Sequence, residues 1–470
     1  MNPTSSGSGQ NQHAKSAGKF VVMGARCCNS AIGAFHPRSW RLVSLDADTL
    51  EPTVVSWHYK HGGRPVMGND FFDTQPDQHL IVSSGTERMT LNPLNISANF
   101  PAMCARRDDQ YLHAWGWAEF GGELPEEIKK IKDAVQIESS MAAFAVRRAN
   151  GSVRAWGSPL NPSSLVPADI AALTNIVGIF GGNYVFVALL TTGQVVAWGL
   201  EEAGGKLPDK IATLTDVVGA VGTQHAFAVL RRTGQVDAWG DPDNGGELPE
   251  EIRQLRDVVQ IAHSGRNFAV RRANGQLAVW GRRTALPPIP EDIVNLDDIV
   301  DIAGKSGAIA VRRANGQIKA WGMTQRDTPP EEIADLTDIV HVTSTSYSFI
   351  ALRANGRIVT WGDGIASVVP ENIAPLSDIV AITTNHEAAV VLRSSGEAIA
   401  FGDPETGGDS SGVSHLLTNV RAVFAGTNTF VALTMDNRVI AWGDPQKGGT
   451  GEQKALYGLI SYAGKLQINL

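Results

Sequence analysis

The chain is poor in cysteine: three among 470 residues, with Cys27 and Cys28 adjacent and Cys104 far away. That spacing is neither a disulfide framework nor a zinc site, and it suits a reducing compartment. No run of about 18 apolar residues occurs, so no helical membrane span is expected. The first residues, MNPTSSGSGQNQHAKSAG, lack the apolar centre of a cleavable secretory signal. Basic residues are outnumbered, 40 Lys and Arg against 48 Asp and Glu, which argues against a general nucleic-acid surface. Nucleophile-elbow, HExxH and P-loop motifs are missing, and the eleven histidines are scattered. The expectation is a soluble monomer, cytoplasmic or secreted without a cleavable signal, with no cofactor and no metal.

Aromatics are also few, yet they are not scattered. Trp-Gly or Phe-Gly recurs at Trp115, Trp156, Trp198, Trp239, Trp280, Trp321, Trp361, Phe401 and Trp442, in steps of 40 to 42 residues. The eight aromatics from Trp156 onward each have an Asp or Asn 23 residues before them: Asp133, Asn175, Asp216, Asp257, Asp298, Asp338, Asp378 and Asn419. All variation in length falls between an aromatic and the next Asp or Asn, as expected of rigid sheets joined by surface loops.

The segment from Asp297 to Gly322 shows the unit most clearly. Ile299–Ala303, Ala308–Arg312 and Gln317–Trp321 read as three strands, with Asn315-Gly316 as a two-residue type I′ hairpin turn. The turn returns as Asn150-Gly151, Thr192-Gly193, Thr233-Gly234, Asn274-Gly275, Asn355-Gly356 and Ser395-Gly396, and as Asp436-Asn437 in the last unit. One such unit leaves an apolar face bare, so copies must stack. Closing the stack into a propeller removes long open edges. The fold class expected is therefore all-β, a single-ring propeller, with the tryptophans as core wedges between blades.

Three segments follow from composition and repeat. Residues 1–18 form a polar, disordered tail, which also has the Ser-rich, acid-free character of a type III-like export signal. Residues 19–99 are a divergent β segment, either degenerate blades or an extension, in which 41–57 imitates the hairpin-plus-Trp pattern. Residues 100–470 are the propeller repeats. The closing stretch, LISYAGKLQINL, resembles the opening strand of a further unit, and Phe20–Met23 is its expected partner in closing the ring.

The array resembles the RCC1-like propeller family, in its short bacterial form. The residues that carry the likeness are Asn150–Gly157, Thr192–Gly199, Asn274–Gly281, Asn315–Gly322 and their fellows. The resemblance implies a propeller, usually of seven blades, that acts by binding proteins; nine aromatic marks exceed that number. The family includes exchange factors for small GTPases and a bacterial β-lactamase inhibitor. It therefore implies, as alternatives, an effector acting on a host protein such as a GTPase, or an enzyme inhibitor.

An arginine recurs eight residues before the aromatic at Arg107, Arg148, Arg231, Arg272, Arg313, Arg353 and Arg393. A ring of arginines suits a polyanion, but a charge that recurs with the fold is expected to pair with the repeat's own Asp. Asp241 to Glu247 has the oxygen-rich look of a calcium loop, but its relatives at Asp403 and Asp444 keep only the turn residues, so a turn is expected.

The freest position lies fourteen residues before the aromatic. It holds Ala142, Tyr184, His225, Arg266, Gly307, Tyr347, Glu387 and Asn428 inside an almost constant frame. These first-turn tips, on one face, are the expected contacts for an unidentified protein partner. A second patch, expected on the opposite face, holds Trp117, Phe120, Arg282, Arg283 and Arg326. Convergent unlike residues of the kind an enzyme requires are not evident, and a non-catalytic binding role is expected.

Overall fold

The computed structural model describes residues 19–26, 41–93 and 96–464. The polar tail, the Cys27-Cys28 pair and residues 465–470 lie outside the described residues. Each Asp/Asn-to-aromatic unit folds as a three-stranded antiparallel sheet, as Ile299–Lys305, Ala308–Arg313 and Ile318–Gly322 do. Nine such sheets follow one another, the first made of Ile96–Ala98, Ala102–Arg106 and Leu112–Gly116 and the ninth carrying a fourth strand, Gly451–Glu452. That first sheet thus reaches back across residue 100. We number these sheets as blades one to nine.

Among the described residues no backbone ladder joins one blade to the next. Packing, side-chain bonds and single backbone bonds do, such as that from the Met141 N–H to Asn183 O at 2.9 Å. Inner strands approach closest, and small residues permit it. Ser139 Oγ donates to Ala98 O at 2.6 Å, Ser264 Oγ to Lys305 O at 2.5 Å, and Thr384 Oγ1 to Ser344 O at 2.8 Å. Large side chains sit farther out. The indole of each Trp donates to a carbonyl in the loop that follows the preceding blade, from Trp156 to Gly121 at 3.1 Å through Trp442 to Gly407 at 3.0 Å. Trp115 makes the same bond to Gly448, beyond blade nine, at 3.2 Å. Blade nine therefore abuts blade one by the contact that joins every other pair of Trp-bearing neighbours. Middle-strand phenylalanines lie against these indoles, as Phe144 does on Trp156 and Phe268 on Trp280, at 5.4 and 4.9 Å between centroids. Between blades, a short helix after proline buries one isoleucine, such as Ile128, Ile252 or Ile333.

The hairpin differs from expectation. Of each Asn-Gly pair only the glycine has positive φ, for example +80° at Gly316. The Gly316 N–H donates to Arg313 O at 3.0 Å and the Arg313 N–H to Gln317 O at 2.9 Å, a type I turn followed by a left-handed glycine. Asn315 instead accepts from the Gln317 N–H through Oδ1 at 3.0 Å. The reason lies in the next blade. The Gly316 carbonyl takes the Ile339 N–H at 3.1 Å, and a Cβ on Gly316 would stand 2.2 Å from Thr337 O. The turn is a clasp as well as a bend.

Residues 19–93 form two further sheets and no hairpin-plus-Trp blade at 41–57. The turn at its middle forms, with the Asp46 N–H donating to Glu51 O at 2.9 Å. Its two ends then part. Arg41–Asp46 lies between Phe20–Met23 and Asp70–Phe72, whereas Val55–Tyr59 lies between Gly62–Gly68 and Leu80–Ser84. Among the described residues Phe20–Met23 pairs with Arg41–Asp46 and not with the C-terminal segment. Instead Ala463 bridges Leu91, and the Asn92 amide donates to Ser461 O at 2.8 Å. This N-terminal module packs on inner strands at the hairpin end of the ring. The Arg41 guanidinium donates to Val380 O at 2.8 Å, the Gly24 N–H to Arg421 O at 3.0 Å, and Phe72 lies 6.1 Å from the His341 ring.

Candidate interaction face

Strand direction decides which residues share a face. The inner strand runs from the hairpin end to the first turn, the middle strand returns, and the outer strand climbs again to the aromatic-Gly. The loop after each aromatic must therefore start beside the first-turn tips. It does: the N–H of the residue after the glycine donates to the carbonyl of the tip, as Trp117 to Pro101 (3.0 Å), Arg282 to Arg266 (3.2 Å) and Asp363 to Tyr347 (3.0 Å). Trp117, Phe120, Arg282, Arg283 and Arg326 thus do not form a patch on the opposite face. They start from the same edge as the tips.

The tips are knit to their neighbours. Tyr184 and His225 lie 5.7 Å apart between centroids across blades three and four, and Arg266 Nε donates to Gln224 Oε1 at 3.0 Å across blades four and five. Tyr347 meets His386 edge-on at 5.8 Å, and His386 Nδ1 lies 3.3 Å from Glu387. Tyr184, His225, Arg266, Gly307, Glu387 and Asn428 are half-buried, Ala142 is buried, and Tyr347 alone is exposed, at 42%. Burial holds the His225 and His386 imidazoles below their ordinary range, so the charge of this rim comes from neighbours such as Arg266 and Glu387 rather than from them. Much of the variety at this position is thus spent on contacts between tips.

The structure adds residues that the spacing did not single out. Leu160, Met323 and Ile365 follow within three residues of an aromatic-Gly and are 93%, 57% and 58% exposed. Trp117, 43% exposed, packs on Phe120 at 5.1 Å. Their signal was apolar type within three residues of the glycine, where a polar loop is the rule.

The arginine series is structural. Arg148, Arg231, Arg272, Arg313, Arg353 and Arg393 each place Nε 2.7–3.0 Å from the Asp that opens their own blade. Where the blade opens on Asn175 or Asn419, the partner position holds Leu190 or Thr434. Charge on one side of the sheet tracks charge on the other, and Arg107, whose blade opens near Asn92, turns to Asp109 at 2.6 Å. The Asp241 loop is a turn: Asp241 accepts from the Asp243 N–H at 2.9 Å and caps the following short helix. Among the described residues no group of three or more His, Cys, Asp and Glu is placed to hold a metal, and no helix is long and apolar enough to cross a membrane.

No family profile matches the chain, and no curated protein matches its sequence. Solved structures similar to it include human WBSCR16, at 15% identity over 53% of this chain and 85% of that one, TM-score 0.38. Prp20p of Saccharomyces cerevisiae, studied for its binding to Gsp1p and histones, aligns at 17% identity over 60% and 85%, TM-score 0.35. The CRINKLY WD40 ectodomain of the Arabidopsis thaliana receptor kinase ACR4 aligns at 16% over 55% and 90%, TM-score 0.36. By its repeated hairpin, its indole-to-loop bonds and its succession of nine small antiparallel sheets, this chain folds as a β-propeller built of RCC1-like repeats.

Proposed function

We propose that the protein is a non-catalytic binding propeller whose partner is another protein, engaged through the face that carries the first turns. One observation carries this reading: Trp117, Leu160, Met323, Tyr347 and Ile365 all stand exposed on that face. Aromatic and methionine side chains are enriched at protein interfaces, and a rigid frame keeps the ordering cost of binding low. The hairpin face lacks this freedom, because its turns clasp the next blade and its inner edge carries the N-terminal module. A host GTPase and a β-lactamase remain specific candidates for the partner, tested by nucleotide release and by inhibition assays.

The test is affinity capture from the native source with the wild type and two variants. Met323→Ser/Tyr347→Ser/Ile365→Ser should lose the partner, and Arg232→Ser/Arg357→Ser, on the hairpin face, should keep it. Retention by the first variant together with loss by the second would reverse the assignment of the face.

A further inference from the structure

Two cross-strand neighbours recur in blades two to nine: the residue twenty before the aromatic, on the inner strand, and the one nine before it, on the middle strand. In blades eight and nine they are Ala381 with Leu392 and Ala422 with Leu433, buried with Met23, Val43 and Leu45 or with Val22 and Leu42 of the N-terminal module. In blades five and six they become Gln260 with Arg271 and Asp301 with Arg312, and in blade seven His341 with Leu352. Here, among the described residues, the N-terminal module contributes Phe72 and Thr74, and a cavity of about 340 Å³ is left.

Its polar groups are not all satisfied by one another. Arg271 Nε donates to Gln260 Oε1 at 3.0 Å, and Asp301 Oδ1 accepts from the Ile302 N–H at 2.9 Å. Arg312 stands 5.8 Å from the centre of the Phe72 ring, and its Nε has no hydrogen-bond partner among the described residues. The His341 side chain is 5% exposed, and among the described residues neither ring nitrogen has a hydrogen-bond partner; its Nδ1 is 4.0 Å from Asp301 Oδ2. A buried polar group without a partner is uncommon and calls for an explanation. Burial takes the His341 imidazole down to about 3, so it is neutral at pH 7 and offers one donor and one acceptor. Two guanidiniums against one carboxylate leave the cavity net positive. Its remaining wall is apolar and open to solvent: Val259 and Val300 are 46% and 37% exposed.

We propose that this axial cavity binds a small organic anion, a monocarboxylate with an apolar body. The carboxylate sits between Arg271 and Arg312, within reach of His341, and the body lies along Val259, Val300 and Phe72. Planar guanidiniums match a carboxylate in shape as well as charge. A cavity of this size, mainly apolar with a few converging polar groups, is the usual form of a small-molecule site. The inference goes beyond partner binding and does not depend on it.

Isothermal titration of the full chain with 4-phenylbutyrate, and with 4-phenylbutan-1-ol as the uncharged counterpart, tests it. The carboxylate should bind saturably, one per chain, and at least tenfold more tightly than the alcohol. Arg312→Gln should weaken the carboxylate about tenfold and leave the alcohol unchanged. That variant also takes a positive neighbour from Asp301, so Val300→Phe is the second test; it fills the cavity and keeps every charge. With an unchanged circular dichroism spectrum, Val300→Phe should abolish binding. Absence of saturable binding, equal affinity for the alcohol, or undiminished binding by Val300→Phe would overturn the proposal.

Discussion

Alanine at two equivalent glycines should give unequal losses of stability. Gly316 and Gly396 hold the same place in the hairpin, with φ of +80° and +86°. A left-handed alanine costs about 1–2 kcal/mol, of which about 0.4–1 is offset because the unfolded chain also loses freedom. At Gly396 the nearest atoms to a new Cβ are 3.4 Å away, so Gly396→Ala should cost about 1 kcal/mol. At Gly316 the methyl would stand 2.2 Å from Thr337 O. Relief requires lifting the hairpin, which gives up the bond from the Ile339 N–H and leaves a buried backbone group unpaired for about 1–3 kcal/mol more. Gly316→Ala should therefore cost about 3 kcal/mol in total. Urea unfolding of both variants, compared with the wild type at a common slope, reads the difference directly. Equal losses, or a larger loss at Gly396, would refute the view that these turns clasp the following blade.

Trp115→Phe removes the donor to Gly448 and should cost about 1–3 kcal/mol, much as Trp239→Phe does through Gly204; a harmless Trp115→Phe in thermal unfolding would mean that blades one and nine do not meet. Arg313→Gln should cost no more than about 1 kcal/mol, and less in high salt, because both partners are about a quarter exposed; denaturation in low and high salt reads this. Acid should expose His341. Its folded value of about 3 lies below its unfolded one of 6.5, so the stability it confers is present above pH 6.5 and is lost as pH falls toward 3. Asp301, raised to about 6 from 3.8 by burial, acts oppositely, costing stability as pH rises from about 4 to 6. His341→Gln should flatten the acid limb of the stability–pH curve, whereas Asp301→Asn should flatten the rise in cost between pH 4 and 6.

The repeat was legible because the wedge imposes it. The aromatic must reach the neighbouring loop, and the Asp or Asn must meet the hairpin of its own blade, so a fixed 23-residue spacing survives in sequence. The turn type was less legible. Asn-Gly favours both a two-residue I′ turn and a type I turn with a left-handed glycine, and the choice is made by Thr337 and Ile339 of the next blade. The face of Trp117 is legible too, since three antiparallel strands return the chain to the edge of the first turn. The N-terminal module was the hard part. Its strands at Phe20–Met23, Arg41–Asp46, Val55–Tyr59 and Leu80–Ser84 fall on stretches rich in β-forming residues, but their partners are set by apolar ends of blades eight and nine rather than by local turns. The axial cavity left no short-range signal, because Arg271, Arg312 and His341 meet across three repeats.

Site-specific photo-crosslinking tests most directly which face binds. A benzophenone side chain at position 347, on the first-turn face, should capture the protein partner in the native source, and one at position 357, on the hairpin face, should not. Capture at position 357 with none at 347 would contradict the account.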